Sequence, residues 1–461
     1  MKPQADSPTA MRESFKLFCS VAANKRFSIQ SVDIRAAFLQ SKELDRDIYL
    51  EPPKDLRQPG TIWKLKKPLY GLDDASRKFW IRVKEIFHAE GLQKVTGDEA
   101  FYFKHHNGSL IGMILTHVDD FSMAGTKEFL TNIIEVIRAN LTVSKVEVDS
   151  FRFTGIDVSK VENTIVISMK DYADSIDYID SFRNGKPDDR LTYIELKLYR
   201  KYTGKLSWLA ANTQPDLAVV ALQMSIKGKD ATLKDLKRIN HVVDWIRDKE
   251  SKLVFSCIGP CEELRVVGIG DASYHMDRKS IGGSLVLLGN IRNNAAVPLY
   301  WKSKTIQKVC HSAKASETRN LVICKDDTLF FAGQIAQLMY GDSSKRLPIK
   351  IFTDSVPLLE SIGSTKQIEE KMLRNSITDF KEDIEQGYVD SYSWLETREM
   401  LADVLTKECR KNKRLDEVLL QNTFSCIQNE DFKVVLGDGE LKIVNKPCQA
   451  IDKEDQRGSN L

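Results

Sequence analysis

Asp119 and Asp120 are adjacent and lie between two short apolar runs, Ile111 to Leu115 and a second that ends at Gly125. That pattern places the pair at the tip of a predicted β-hairpin. Two like charges on a tight turn repel each other, and a divalent cation between them removes the conflict. With a third carboxylate from elsewhere, this is the arrangement of a metal-dependent phosphoryl-transfer site. Asp33, within Ser31-Val32-Asp33-Ile34-Arg35, is the candidate third ligand. Taken alone, an Asp-Asp pair on a turn is more often simply solvated. Four further acidic residues, Asp271, Glu317, Asp354 and Asp403, fall at the ends of predicted elements. Singly, each also reads as a strand-end turn or a helix cap.

A second chemical feature is basic and aromatic. From Thr61 to Lys84 the chain carries Lys64, Lys66, Lys67, Arg77, Lys78, Arg82 and Lys84 against Asp73 and Asp74. Trp63, Tyr70, Phe79 and Trp80 are interleaved. Bases stack on such rings while cations hold phosphates. The competing reading is an amphipathic helix from Ala75 to Glu90 with a solvated basic face.

The elements that must position these residues read as mixed α/β. Residues 12 to about 30 form a helix with Phe15, Phe18, Cys19, Val21 and Ala22 on its apolar side. A strand from Ile29 to Phe38 runs into a turn. Strands follow at Phe101 to Phe103, Leu110 to Val118 and Phe121 to Ala124. A helix spans Lys127 to Asn140, its stripe Phe129, Leu130, Ile133, Ile134 and Ile137. Phe151 to Ile156 and Thr164 to Ile167 form a strand pair, and Ser181 to Arg190 is a linker. Helices are expected at Tyr199 to Ala211, Pro215 to Ile226 and Lys234 to Arg247. A second α/β pattern begins near Leu253, with strands Val266 to Ile269, Gly283 to Leu288 and Val297 to Trp301. A helix from about Ser316 and a strand Ile349 to Thr353 come next. From Arg410 onward nothing is assigned.

The 461 residues call for two or three domains. With 42% hydrophobic and 29% charged residues the composition is that of a globular protein. A net charge of +3 excludes a polycationic protein but not a local basic groove. No apolar run is long enough to span a bilayer, and Met1 to Ala10 lack a signal-peptide core, so no membrane and no secretion are expected. The eight cysteines are scattered. Cys257 and Cys261 are close, but no second pair completes a zinc set, and free thiols inside a cell are expected.

Several blocks occur in a fixed order: Val32-Asp33, Ala36-Ala37-Phe38-Leu39, Ile48-Tyr49-Leu50-Glu51-Pro52-Pro53, Trp63-Lys64-Leu65, Pro68-Leu69-Tyr70-Gly71-Leu72 and Val118-Asp119-Asp120. In this order they resemble the reverse transcriptase of copia-type LTR retrotransposons. The resemblance continues through Tyr202-Thr203-Gly204-Lys205-Leu206 and Gln214-Pro215-Asp216-Leu217-Ala218. It extends over Asp271-Ala272-Ser273-Tyr274, Arg278-Lys279-Ser280-Ile281-Gly282-Gly283, Trp301-Lys302-Ser303-Lys304, Ser316-Glu317-Thr318, Thr353-Asp354-Ser355 and Leu401-Ala402-Asp403 to Lys407, which are similar to the ribonuclease H of the same polyproteins.

What the resemblance implies is an α+β palm-type polymerase domain followed by an RNase H-like α/β domain. Residues 1–180 would be truncated fingers and palm, 181–255 a thumb or connection region, 256–410 the RNase H-like domain, and 411–461 a tail of unknown role. Asp33, Asp119 and Asp120 would hold Mg²⁺, or Mn²⁺ in its place, for DNA synthesis. Asp271, Glu317, Asp354 and Asp403 would hold two ions for RNA cleavage. Phe38 would exclude a ribose 2′-hydroxyl, and Lys64, Lys66, Lys67, Tyr70, Gly71 and Arg77 would contact substrate. The implied partners are an RNA template, a DNA primer, an RNA–DNA hybrid, dNTPs and the rest of a Pol polyprotein, in a cytoplasmic virus-like particle or the nucleus.

The pattern also departs from the family. Asp73-Asp74-Ala75-Ser76 replaces Lys-Gln-Ala-Pro, His117 replaces a tyrosine, and Ser-Glu-Thr at Glu317 replaces Ala-Glu-Tyr. The fingers segment that grips the triphosphate, and the protease, integrase and Gag segments, are expected to lie outside this chain. That expectation leaves three alternatives: an active polymerase–nuclease, a catalytically weak or inactive nucleic-acid-binding remnant, and a two-metal nuclease of another kind.

Overall fold

The computed structural model describes residues 5–275, 279–342, 344–365 and 370–444. Arg278, Cys448 and the polar end from Asp452 lie outside the described residues. The architecture is mixed α/β, built on two large sheets, a smaller four-stranded one and a helical region.

The chain opens with α1 (Arg12–Asn24), in which every residue from Ser14 to Asn24 is buried. The sequence predicts a helix running to about residue 30 with one apolar side. The helix instead stops at Asn24, because Arg26 takes a left-handed φ of +55° and Ser28 starts β1 (Ser28–Ile34). It is buried all round because it is wedged between parts of the chain distant in sequence. Lys16 Nζ donates to Ala211 O at 3.0 Å and lies 4.4 Å from the Trp301 ring centroid, and Asn24 Nδ2 donates to Gly259 O at 3.0 Å.

A small hairpin of β2 (Tyr49–Leu50) and β3 (Trp63–Lys64) precedes α2 (Ala75–Ala89). Strands β4 (Gln93–Lys94), β5 (Phe101–His106), β6 (Ser109–His117) and β7 (Asp120–Gly125) follow, then α3 (Lys127–Asn140) and β8 (Val143–Val148). The first sheet is antiparallel, in the order β4-β5-β6-β7-β1-β8. Alternation along the strands divides its two faces. Phe121 and Met123 pack under Phe79, Val83 and Phe87 of α2 and Phe129 and Ile133 of α3. Phe101, Phe103 and Ala124 face Phe15 and Phe18 of α1.

A four-stranded sheet comes next, with β9 (Ser150–Phe153), β10 (Ile156–Val161) and β11 (Thr164–Ser168), followed by α4 (Lys170–Asp174). The expected pairing of 151–156 with 164–167 is corrected here. Thr154 and Gly155 both have positive φ and reverse the chain, so β10 lies between β9 and β11. The linker 181–190 leads to α5 (Tyr193–Asn212), α6 (Ala218–Lys227) and α7 (Leu233–Arg247). Strand β12 (Lys252–Phe255) then returns to pair with β11, Leu253 opposite Ile167. Leu253 therefore closes the first half rather than opening the second.

The second large sheet begins with the meander β13 (Leu264–Ser273), β14 (Ile281–Asn290) and β15 (Ala296–Thr305). The helix α8 (Ala313–Tyr340) crosses to β16 (Ile349–Thr353), and α9 (Val356–Ile362) and α10 (Arg374–Glu385) lead to β17 (Ser391–Trp394). Strand β16 is parallel to β13 and β17 is parallel to β16. The stretch left unassigned contains α11 (Lys413–Gln421), β18 (Lys433–Gly437) and β19 (Glu440–Val444), and the sheet order is β15-β14-β13-β16-β17-β18-β19. To residue 444 the C-terminal region is thus an edge of the second sheet, tied down by the buried Lys350, whose ammonium reaches Asn429 O and, at 3.0 Å, Glu430 Oε1.

The two halves touch through α8 as well as α1. Gln334 Nε2 donates to Thr96 O at 2.9 Å, and Thr96 N donates to Gln337 Oε1 at 2.8 Å. No described helix is long and apolar enough to cross a membrane.

Candidate functional site

The second sheet brings three carboxylates together. Asp271 lies near the end of β13, opposite Gly283 of β14. The parallel register that sets Ile269 against Phe352 puts Asp354, just past β16, at the same end of the sheet. Glu317 comes from the first turns of α8, whose N-cap Ser312 accepts from Ala315 N at 3.1 Å. One turn later Asn320 Nδ2 donates to both Asp271 O and Gly283 O at 2.8 Å, which fixes the helix across the two strands. Close approach requires glycine here: a Cβ on Gly282 would lie 2.1 Å from Asn320 Oδ1. Ligand oxygens of Asp271, Glu317 and Asp354 all fall within 4.8 Å of one another, the one such acidic group among the described residues.

Burial raises the pKa of all three carboxylates. Burial pushes Asp271 up to about 7, against the pull of Lys407 and Thr406. Burial, then Asp271 and Asp354, push Glu317 up to about 9. Burial also raises Asp354. Further contacts hold the group in place. Thr406 Oγ donates to Asp271 Oδ2, Thr397 Oγ donates to Asp354 Oδ2 at 3.2 Å, and Ala272 N donates to Glu317 Oε1 at 3.2 Å. An all-carboxylate donor set of this size is positioned to chelate a hard divalent cation. Asp403, the expected fourth ligand, is not in the group. It lies in the 3₁₀ turn Leu401–Leu405, and its Oδ1 is 2.7 Å from Lys407 Nζ.

The first set is looser. Asp33, next to last in β1, lies opposite Asp120 of β7 and Lys145 of β8. The turn residues are Val118 and Asp119, and Asp120 already starts β7, so the tip lies one position earlier than one made of the two aspartates. Val118 adopts φ +58°, an outlier for a β-branched residue, and Asp119 O accepts from Ile34 N at 3.0 Å. The three side chains therefore share one sheet end without forming a group as tight as the second. Half-burial, then Asp119, Asp33 and Glu147, push Asp120 up to about 6. Burial and Asp119 raise Asp33, whose carboxylate accepts from Ser144 Oγ. Burial lowers His117, whose Nδ1 has no partner.

Phe38 sits in the 3₁₀ turn Ala37–Gln40 with its ring 4.4 Å from that of exposed Tyr70. Gly71 takes φ +101° at the following turn. Lys66 and Lys67 are exposed, Lys64 is held 2.6 Å from Asp47, and Arg77 Nη1 donates to Asp6 O at 2.8 Å. Asp74 is buried and accepts a two-pronged contact from Arg46 at 2.6 and 2.8 Å. Asn320, Thr397, Ser144, Lys145 and Arg46 carry no motif of their own, and only the fold places them beside the carboxylates.

Residues 3–184 match a family model described as reverse transcriptase (RNA-dependent DNA polymerase). The chain is similar to the retrovirus-related Pol polyprotein from transposon RE1 of Arabidopsis thaliana, 24% identical over 87% of this chain and 28% of that protein. It is also similar to the Pol polyprotein from transposon RE2 of the same plant, 23% identical over 87% of this chain and 28% of that protein. It thus spans little more than a quarter of the length of these relatives. The structure of LC11-RNase H1 with an RNA/DNA hybrid aligns with 32% of this chain and 96% of its own, at 14% identity and a TM-score of 0.24. Along most of its length, then, this chain is similar to retrotransposon Pol proteins, with the reverse-transcriptase match confined to its first part.

Proposed function

We propose that the chain is the polymerase and nuclease part of a copia-type retrotransposon Pol protein, an RNA-directed DNA polymerase with an attached ribonuclease H. In this reading residues 1–180 are fingers and palm, 181–255 a connecting region, and the RNase H-like domain runs from 256 past 410 to include the strands up to 444. The observation that carries the proposal is the meeting of Asp271, Glu317 and Asp354 from three elements far apart in sequence.

In the nuclease half Asp271, Glu317 and Asp354, joined by Asp403, would hold Mg²⁺ or Mn²⁺. A bound divalent cation supplies an acidified water and charge neutralisation at the scissile phosphate. The chain's own residues do the positioning. Asn320 locks α8 to β13 and β14, while Thr406 and Thr397 each donate to one carboxylate and leave its other lone pairs open. Glu317, raised to about 9, would bind the cation as its carboxylate and would give up its proton to do so.

In the polymerase half Asp33, Asp119 and Asp120 would hold the same kind of ion with the dNTP triphosphate. The Phe38 ring, backed by Tyr70, would form the wall facing the sugar 2′ position. Lys66 and Lys67, exposed on the same side of the sequence motif, would meet phosphate, as would Lys64 and Arg77 once freed from Asp47 and Asp6. RNA template, DNA primer, RNA–DNA hybrid and dNTPs are the proposed partners, with the remainder of a Pol polyprotein as a further one.

Two assays test the reading on the full chain. Labelled RNA in an RNA–DNA hybrid should be cut in Mg²⁺ and left intact in EDTA, and a DNA primer on an RNA template should be extended. A second reading, a remnant weak in polymerisation, is favoured by the looser first set and by the engagement of Asp33 with Ser144. Cleavage without extension supports that reading. Loss of neither substrate under any metal condition sinks both.

A further inference from the structure

The fourth carboxylate of the nuclease site is held by a cation already present in the chain. Lys407 Nζ lies 2.7 Å from Asp403 Oδ1 and 3.8 Å from Asp271 Oδ2. Lys407 N also donates to Asp403 O at 2.8 Å, so the backbone keeps the two side chains on one surface. The lysine side chain is half exposed, whereas Asp271 is 2% exposed. An ammonium with one end in water can swing out at little cost, but Asp271 cannot move. Among the described residues, Asp403 alone of the four expected ligands is outside the 4.8 Å group, and alone of them has an ammonium within 3 Å.

We propose that Lys407 is the resident counter-cation of this site. Its ammonium neutralises Asp403 and Asp271 in the metal-free fold and competes with a divalent cation for them. Asp403 becomes a ligand only after Lys407 withdraws. The inference rests on the reading of Asp271, Glu317 and Asp354 as a cation site. It adds that divalent affinity is held down by a positive charge on residue 407.

Mn²⁺ titration of the full chain without nucleic acid, by calorimetry or by electron paramagnetic resonance of free Mn²⁺, tests it. Removing the charge in Lys407→Met should tighten Mn²⁺ binding by roughly two- to fivefold, the size of a partly exposed ion pair. Lys407→Gln should do the same, and Lys407→Arg, which keeps the charge, should bind as the wild type does. In EDTA the Met and Gln variants should melt below the wild type, and Mn²⁺ should raise their melting temperature by more than it raises that of the wild type. Unchanged or weaker Mn²⁺ binding by folded Lys407→Met and Lys407→Gln overturns the competition. Absence of Mn²⁺ binding in the wild type and in all three variants overturns instead the cation site on which it rests. Asp271→Asn is the control that should abolish binding in either background.

Discussion

Asp271→Asn should destroy the proposed nuclease site and stabilise the metal-free fold at the same time. Asp271 is 2% exposed and its pKa rises from 3.8 to about 7. A carboxyl whose folded pKa lies above its unfolded value contributes stability that is complete below about pH 3.8. That contribution is lost as the pH climbs through about 7. The difference between 3.8 and about 7 corresponds to about 4 kcal/mol at 1.36 kcal/mol per unit, an upper figure for the strain of ionising this one group. Asparagine keeps the shape and can accept from Thr406 without carrying a charge. Urea unfolding in EDTA at pH 5 and pH 8 should show the wild type losing stability as the pH rises. The variant should lose less and be the more stable protein at pH 8. Mg²⁺ should restore the wild type at pH 8 and leave the variant unchanged, and cleavage of hybrid RNA should vanish. If Asp271→Asn is equally or less stable than the wild type at pH 8 in EDTA, the carboxylates are not in conflict. The argument from burial then fails.

Three further outcomes follow from the same geometry. Asp119→Asn should abolish DNA synthesis and leave RNA–DNA duplex binding intact, since an amide oxygen is a poorer ligand for a hard cation; near-normal primer extension would remove Asp119 from the polymerase site. Asp354→Asn should stop cleavage of RNA in a hybrid while synthesis continues, because the two acidic sets belong to different sheets; joint loss of both activities in a folded variant would point to one composite site. Gly282→Ala should cost about 1–3 kcal/mol, read by urea unfolding, because its methyl meets Asn320 Oδ1; an unchanged midpoint would mean that α8 shifts freely over β14.

Sequence periodicity located the elements whose packing is one-sided. Helices α2 and α3 fall where the apolar stripes put them, because each covers a single face of the first sheet. It found α1 and its apolar side but not its burial on every side, which depends on partners such as Ala211, Trp301 and Gly259. No local pattern records a contact made across nearly 300 residues. It also failed at two hairpins that carried a usable signal. Thr154-Gly155 and Asp438-Gly439 are short turns in which both residues take positive φ, and reading them as turns would have found β10 and the β18–β19 pair.

The candidate site was legible as residue types in order, and its geometry was not. Nothing in the spacing of Asp271, Glu317, Asp354 and Asp403 says that three meet and one stands apart. The meeting follows from the parallel register of β13 and β16 together with the anchoring of α8 by Asn320. The separation of Asp403 follows from an ion pair between residues four apart, Asp403 and Lys407, inside a motif that reads as a single block. Repulsion among carboxylates has two remedies, an external cation and an internal one. In the metal-free fold burial raises the pKa of Asp271, Glu317 and Asp354, and Lys407 stands against Asp403 and Asp271. The tighter group therefore has more to gain from a divalent ion, and the second sheet is where cation binding should first be measured.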